Sequence, residues 1–238
     1  MKTKLFFILT LFVLSVQSQE SPPRYRYINS VWLGYFNSTT IGKRWNVNTD
    51  IQYRAKDWIA KPSQFLVRSG LGYKLNDKVR ITLGVAHFRF YLTSVATRGE
   101  WRPWQELLIN DVVGKIKIAH RFRAEQRFNQ KVSGNKPIDG YSFNWRFRYR
   151  IEATYPIIKS GDKVISILAG NEILINAGNS IRYNYFDQNR LYGGFNFEQN
   201  KRLTYQIEFM HMWQQQANGI ILDKISVIRF NILHKINL

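Results

Sequence analysis

Residues 141–155 read Y-S-F-N-W-R-F-R-Y-R-I-E-A-T-Y, an alternation without a break. Odd positions carry Tyr141, Phe143, Trp145, Phe147, Tyr149, Ile151, Ala153 and Tyr155; even positions carry Ser142, Asn144, Arg146, Arg148, Arg150, Glu152 and Thr154. Successive side chains of a strand point to opposite faces, so this segment has one aromatic and one charged face. A strand of a soluble sandwich alternates too, but rarely with a polar face so charged and an apolar face so aromatic. Lipid on one side and a watery lumen on the other account for both faces.

The same period runs along the chain. Trp45, Val47, Thr49, Ile51 and Tyr53 oppose Asn46, Asn48, Asp50, Gln52 and Arg54. Phe65, Val67, Ser69, Leu71 and Tyr73 oppose Arg68, Gly70, Gly72 and Lys74, and Val79–Ala86 behaves likewise. Ile116, Ile118, Phe122 and Ala124 oppose Lys117, Arg121, Arg123, Glu125 and Arg127. Two late segments, around Leu191–Phe197 and Leu203–Trp213, repeat the pattern, whereas residues 31–36, 104–113 and 164–175 alternate less cleanly. No stretch has a helical period.

Tight-turn signals fall at Gly42-Lys43, Asn76-Asp77, Gly114, Ser160-Gly161-Asp162 and Asn200-Lys201. Longer connections are expected over residues 56–63, 93–100, 131–140, 178–185 and 215–220. Short turns alternating with long loops suit an outer-membrane barrel, with turns in the periplasm and loops outside. Trp45, Tyr53, Tyr73, Trp101, Trp104, Tyr155 and Trp213 lie near strand ends, as interfacial aromatic girdles require. The chain stops on a strand that places Ile228, Phe230, Ile232, His234, Ile236 and Leu238 on one face, the kind of terminal strand that barrel-assembly machinery reads.

The N-terminus reads as a signal peptide over residues 1–18. Lys2 and Lys4 form its basic region, residues 5–16 its apolar run, and Val16 and Ser18 suit the cleavage site. The run is too short for a spanning helix. Residues 19–238 then form one barrel domain. There is no cysteine, hence no lipoprotein attachment residue and no disulfide. The formal charge of +19 becomes +17 without Lys2 and Lys4. An exported barrel rarely meets nucleic acid, so lipopolysaccharide phosphates and small anionic solutes are the expected partners of this charge, with outer-membrane lipid around the wall.

These observations predict an all-β fold: a transmembrane antiparallel up-and-down β-barrel. The alternation yields eleven strands. Single-chain bacterial barrels favour even numbers, which sets the expectation at about twelve, with ten the alternative. With the tight turns and the C-terminus in the periplasm, eleven strands would start the first strand outside, so either the N-terminal segment threads the lumen or residues 89–113 hold a different number of strands.

The lumen phase holds the candidate site. Arg68, Arg121, Arg123, Arg127, Arg146, Arg148, Arg150 and Arg190 fall there, with Arg54 and Arg80 and with Asp50, Glu106, Glu125, Glu152, Glu172, Glu198 and Glu208. Two readings stand side by side. The arginines and carboxylates pair with one another and plug a narrow barrel, or they line an anion-attracting pore. Glycines in the same phase (Gly70, Gly72, Gly84, Gly170, Gly194) either open space for solute or let long arginines fit. His87, His120, His211 and His234 fall in the outward phase, where a lipid hydrolase would place a histidine beside a serine. Ser69 is the clean outward serine, and a hairpin at Asn76-Asp77 sets it too far from His87 to bond. No metal spacing or cofactor fingerprint is present.

The block Phe186-Asp187-Gln188-Asn189-Arg190-Leu191 resembles the Domain of Unknown Function 2490 family, as do the early Trp32 strand and the Arg121-x-Arg123-x-Glu125-x-Arg127 strand. Members are similar to outer-membrane β-barrels of Gram-negative bacteria. The resemblance implies fold and location and no reaction or cofactor. Asp187, Gln188, Asn189 and Arg190 then sit at the outer mouth, either capping a loop onto the wall or binding a solute. The expected role is a narrow anion-preferring channel or a passive membrane component with an arginine-rich lumen. The alternatives are a lipid-modifying outer-membrane enzyme and a loop-binding scaffold or adhesin.

Overall fold

The computed structural model describes residues 23–93 and 97–238. The expected signal peptide, residues 1–18, lies outside the described residues. Eleven strands run in chain order: β1 (Arg24–Ile41), β2 (Trp45–Lys56), β3 (Lys61–Lys74), β4 (Val79–Tyr91), β5 (Thr97–Val113), β6 (Ile116–Ser133), β7 (Lys136–Ser160), β8 (Lys163–Ala177), β9 (Phe186–Glu198), β10 (Leu203–Gln215) and β11 (Ile221–Asn237). Each pairs antiparallel with its neighbours in sequence, and β1 meets β11 to close the barrel. Closure leaves no sheet edge, so the wall satisfies its backbone groups within itself, as a membrane core requires.

The strand number falls between the two even counts expected, and the seam explains it. β1 and β11 are parallel, in register from Arg24↔Ile221 to Thr40↔Asn237. Residues 24–29 are neither an additional strand nor a lumen thread; they are the first third of β1. An odd number of up-and-down strands brings first and last side by side in the same direction, so no reversal is needed.

Tight turns and the C-terminus share one end of the barrel, which we call the turn end; the other is the loop end. Gly42, Gly114 and Gly161 have φ of 59°, 61° and 58° at the turn end, a left-handed backbone that glycine adopts without Cβ strain. Two expected long loops are shorter than the composition suggests. Residues 131–140 are mostly strand, turning at Gly134 and Asn135 (φ 54° and 61°), so the β6–β7 hairpin projects as a paired ribbon. Between β2 and β3, Asp57 and Trp58 make the turn with φ of 50° and 64°.

Side chains divide as the alternation requires. Val67, Leu83, Phe122, Phe147, Ile167, Phe195, Phe209 and Phe230 all face outward and are exposed. An apolar belt of this extent on a soluble monomer would be a large exposed patch; around a barrel it is the lipid contact. Trp45 and Tyr73 meet edge-on at the turn end, their rings 4.7 Å apart, while Tyr53, Trp101 and Trp213 face out nearer the loop end. Trp104 is the exception among the expected girdle residues. It points inward and is 3% exposed. Its neighbours Glu100, Arg102 and Glu106 share that inward phase, which fixes the direction.

Candidate anion-binding lumen

The inward faces of β5 to β9 form one ionic network. Register places Arg121 opposite Arg150, Arg123 opposite Arg148, and Glu125 opposite Arg146. Two like-charged pairs on adjacent strands repel unless acids stand between them. The protein supplies those acids. Glu172 accepts from Arg121 Nη2 at 2.5 Å, Arg148 Nη2 at 2.7 Å and Arg190 Nη1 at 3.2 Å. Glu125 accepts from Arg146 Nε at 2.9 Å and Arg148 Nη1 at 2.6 Å. Arg148 therefore bridges the two carboxylates. Glu106 accepts from Arg123 Nε at 2.8 Å, and Glu100 from Arg127 Nε at 2.7 Å and from Arg102. Each is a charge-assisted bond in a water-poor space, where paired geometry offsets the desolvation of both partners.

Of the carboxylates expected to answer the arginines, Glu125, Glu152, Glu172 and Glu208 do. Glu208 pairs with Arg229, and Glu152 accepts from the Tyr192 hydroxyl at 2.8 Å with Arg150 at 3.7 Å. Glu198 does not: it ends β9 at the turn-end rim, and among the described residues no cation lies within ion-pair distance of it. Arg68 bonds Asp50 at 2.7 Å on the opposite wall.

The loop-mouth block divides. A register shift at Leu174/Ile175 makes Asp187 a bulge residue, so Asp187 and Gln188 both turn inward although they are consecutive. Arg146 reaches Asp187 at 3.1 Å, and Arg190 donates through Nε to Gln188 at 2.9 Å. Asn189 faces out instead, bonding Asn171 at 2.9 Å. Through Arg146 and Asp187 the block ties β9 to β7 from inside.

Sequence reasoning missed Glu100, Arg98, Arg102 and Arg229. For the first three the signal was present: Glu100-x-Arg102-x-Trp104-x-Glu106 has period two, but it straddles the loop expected over residues 93–100 and the less clean alternation of residues 104–113. Rings were missed as well. Arg102 stacks on Phe88 at 3.5 Å, Arg54 on Trp32 at 3.8 Å and Arg123 on Trp104 at 4.3 Å. Gly70, Gly84 and Gly170 make room for rings, Gly72 for Asn46 and the Arg80 stem, and Gly194 for the neighbouring backbone. A Cβ at Gly70 would lie 2.6 Å from the Trp104 ring, and one at Gly170 would lie 2.5 Å from the Tyr192 hydroxyl.

A cavity of about 450 Å³ runs beside the network, touching Arg54 and Arg98 toward the loop end and Leu108, Asn48 and Lys235 toward the turn end. Among the described residues thirteen arginines line it against eight carboxylates in or directly behind its wall, five more arginines than acids, with Lys235 a further cation. The wall formed by β1–β3 and β10–β11 contributes neutral amides, among them Asn48, Gln64, Gln206 and Asn231. Arg54 illustrates the excess: Nη1 and Nη2 each donate to a glutamine, Gln64 and Gln52, at 3.0 Å, and no carboxylate reaches it.

Outside the barrel, each histidine contacts an aromatic neighbour. His120 and His234 bond the hydroxyls of Tyr149 and Tyr35 at 2.9 Å, and His87 and His211 pack on Trp101 and Trp213 with centroids 4.5 Å apart. Ser69 lies opposite Val85, and its hydroxyl is 3.2 Å from that of Thr49. No histidine–serine pair is assembled among these residues.

An apolar belt outside and a charged, partly hollow interior define a membrane-spanning β-barrel protein. A family described as a protein of unknown function (DUF2490) matches residues 29–222, and the chain belongs to that family. It is 26% identical over 200 residues to an uncharacterized protein of Methylorubrum extorquens, covering 80% of this chain and 82% of that protein. Among solved structures it is similar to a NanC porin at 17% identity and a TM-score of 0.43, covering 83% of this chain and 93% of that one.

Proposed function

We propose that the protein is an outer-membrane barrel of Gram-negative type whose lumen is a narrow, anion-preferring conduit. The observation that carries this reading is the charge surplus of the cavity: thirteen arginines to eight carboxylates, with Arg54 lacking any acidic neighbour. A plug designed only to close the barrel would balance its charges, because each uncompensated guanidinium in a low-dielectric space is unfavourable. A surplus attracts anions and repels cations, which is how charged rings select ions in a pore. Tight turns in the periplasm and loops outside orient it, with export by the N-terminal leader.

Planar-bilayer recording tests this. The purified barrel should conduct, with a reversal potential in a KCl gradient set by chloride. Arg54→Gln should shift that potential toward potassium. Silent bilayers, with Arg146→Ala plus Arg148→Ala silent as well, would leave a closed ionic plug and remove the channel reading.

A further inference from the structure

Among the described residues, ten buried side-chain nitrogen or oxygen atoms have no hydrogen-bond partner. Seven are N–H donors on cavity-lining residues: Arg54, Arg80, Trp104, Arg121, Arg123, Arg150 and Arg229. Buried donors without acceptors are rare and unfavourable, so a cluster of them describes the complement of an acceptor-rich ligand.

Three of these donors share one line of the sheet. Register runs Arg80↔Leu108, Leu108↔Arg121, Arg121↔Arg150 and Arg150↔Glu172, all inward. Arg80, Arg121 and Arg150 each hold an enclosed Nε–H that makes no hydrogen bond, that of Arg121 lying 3.8 Å from a Glu106 oxygen already bonded to Arg123. The residue between the first two is an aliphatic Leu108, which contributes no counter-charge. The acids nearby are committed. Glu172 already takes bonds from Arg121, Arg148 and Arg190, Glu106 is engaged by Arg123, and Glu152 stands 3.7 Å from Arg150 while bonded to Tyr192. Among the described residues, the Arg80 side chain makes no hydrogen bond or ion pair.

We propose that Arg80, Arg121 and Arg150 form a binding site for a phosphate group carried by a small solute. This rests on the anion-preferring conduit proposed above and names a ligand class within it. Three guanidinium donors from three strands call for more than two acceptor oxygens. A carboxylate offers two in one plane, whereas a phosphate offers three or more and carries about 1.5 to 2 negative charges at neutral pH. Arginine matches phosphate geometry well. The site lies inside the lumen, so its phosphate comes from a solute rather than from the lipid around the wall.

Calorimetric titration of the detergent-solubilised barrel, with inorganic phosphate and acetate as probes, decides it. Phosphate should bind at least about tenfold more tightly than acetate, and Arg80→Gln should weaken phosphate by a similar factor. Arg80 has no partner to lose, so the variant should fold; retained heat-dependent gel migration checks that. Lys201→Gln removes the same charge from an exterior turn and should change affinity by less than roughly twofold. Equal affinity for the two probes, or phosphate binding indifferent to Arg80→Gln, would overturn the site. Calorimetry needs no current, so phosphate binding by a non-conducting barrel would remove the channel and keep the site. Anion-preferring conductance without phosphate preference would do the reverse.

Discussion

Glu172→Gln is expected to lower the unfolding free energy of the barrel by about 3–5 kcal/mol, the range for removing one partner of a buried charge pair. The side chain keeps its shape, so the loss measures the charge together with the one acceptor oxygen that becomes an NH2 donor. Glu172 is 3% exposed and receives three arginines from three strands: Arg121 of β6, Arg148 of β7 and Arg190 of β9. A neutral amide there leaves three guanidiniums facing one another across the narrow lumen, with Arg121 already opposite Arg150. Denaturant titration in detergent micelles reads the effect directly, and the temperature at which the folded band gives way on a gel should fall with it. Adding Arg148→Gln to Glu172→Gln should recover part of the loss, since it removes one of the stranded charges. Glu198→Gln, at the rim without an ion pair, should stay within about 0.5 kcal/mol of the parent. If Glu172→Gln matched the parent, the network would not be what holds these strands around the lumen.

The same residues show how far a one-dimensional pattern reaches. β7 was legible because Tyr141 to Tyr155 alternate strictly, and strict alternation fixes which face each side chain takes. That rule also assigned the arginines of β6 and β7 to the lumen. It failed on β5, where Gly99 and Pro103 interrupt the β-forming composition while the backbone stays paired to Val79–Tyr91. It failed differently at Asp187, because a bulge breaks the period by one residue and no residue type announces it. Partners were beyond its reach altogether. Glu172 meets Arg121, 51 positions earlier, only because strand register and the length of an arginine bring them together across the wall. The seam was hidden for a similar reason: eleven strands were countable, but parallel closure is a property of the finished barrel.

Counter-charge for the paired arginine rows of β6 and β7 is therefore mostly the protein's own, and the surplus is concentrated elsewhere. Glu125, Glu172, Glu106 and Glu100 neutralise the centre of the β5–β9 wall. Among the described residues, Arg54 on β2 and Arg80 on β4 have no carboxylate within ion-pair distance. The network gives rigidity to the β5–β9 side of the lumen, and the arginines without a carboxylate lie on β2 and, at the edge of that network, on β4. A wall fixed by its own ion pairs suits a conduit better than a cavity that must rearrange to admit an anion.

Trp104→Ala is expected to widen that conduit, with single-channel conductance rising by a factor of about two or more as the pore-narrowing group is removed. The indole lies over two glycines, Gly70 of β3 and Gly84 of β4, whose added Cβ atoms would approach it to 2.6 and 2.4 Å. It carries the Arg123 guanidinium on its face at 4.3 Å and has an unpartnered buried Nε1–H. Truncating a buried aromatic costs about 3–5 kcal/mol where the space stays empty, and less where water enters, as a polar cavity permits. The glycines supply an internal check. Gly70→Ala should destabilise the parent barrel, because its Cβ meets the indole, and should be better tolerated in the Trp104→Ala background, where the Leu83 carbonyl at 3.0 Å is the nearest remaining obstacle. Gly84→Ala should destabilise both, because its Cβ would also sit 2.3 Å from the Ser69 carbonyl, which the tryptophan variant does not move. Unchanged conductance in Trp104→Ala would mean that ions pass, if at all, by a route that avoids β3 to β5. Coupling of Trp104 to Gly84 but not to Gly70 would contradict the seating of the indole itself.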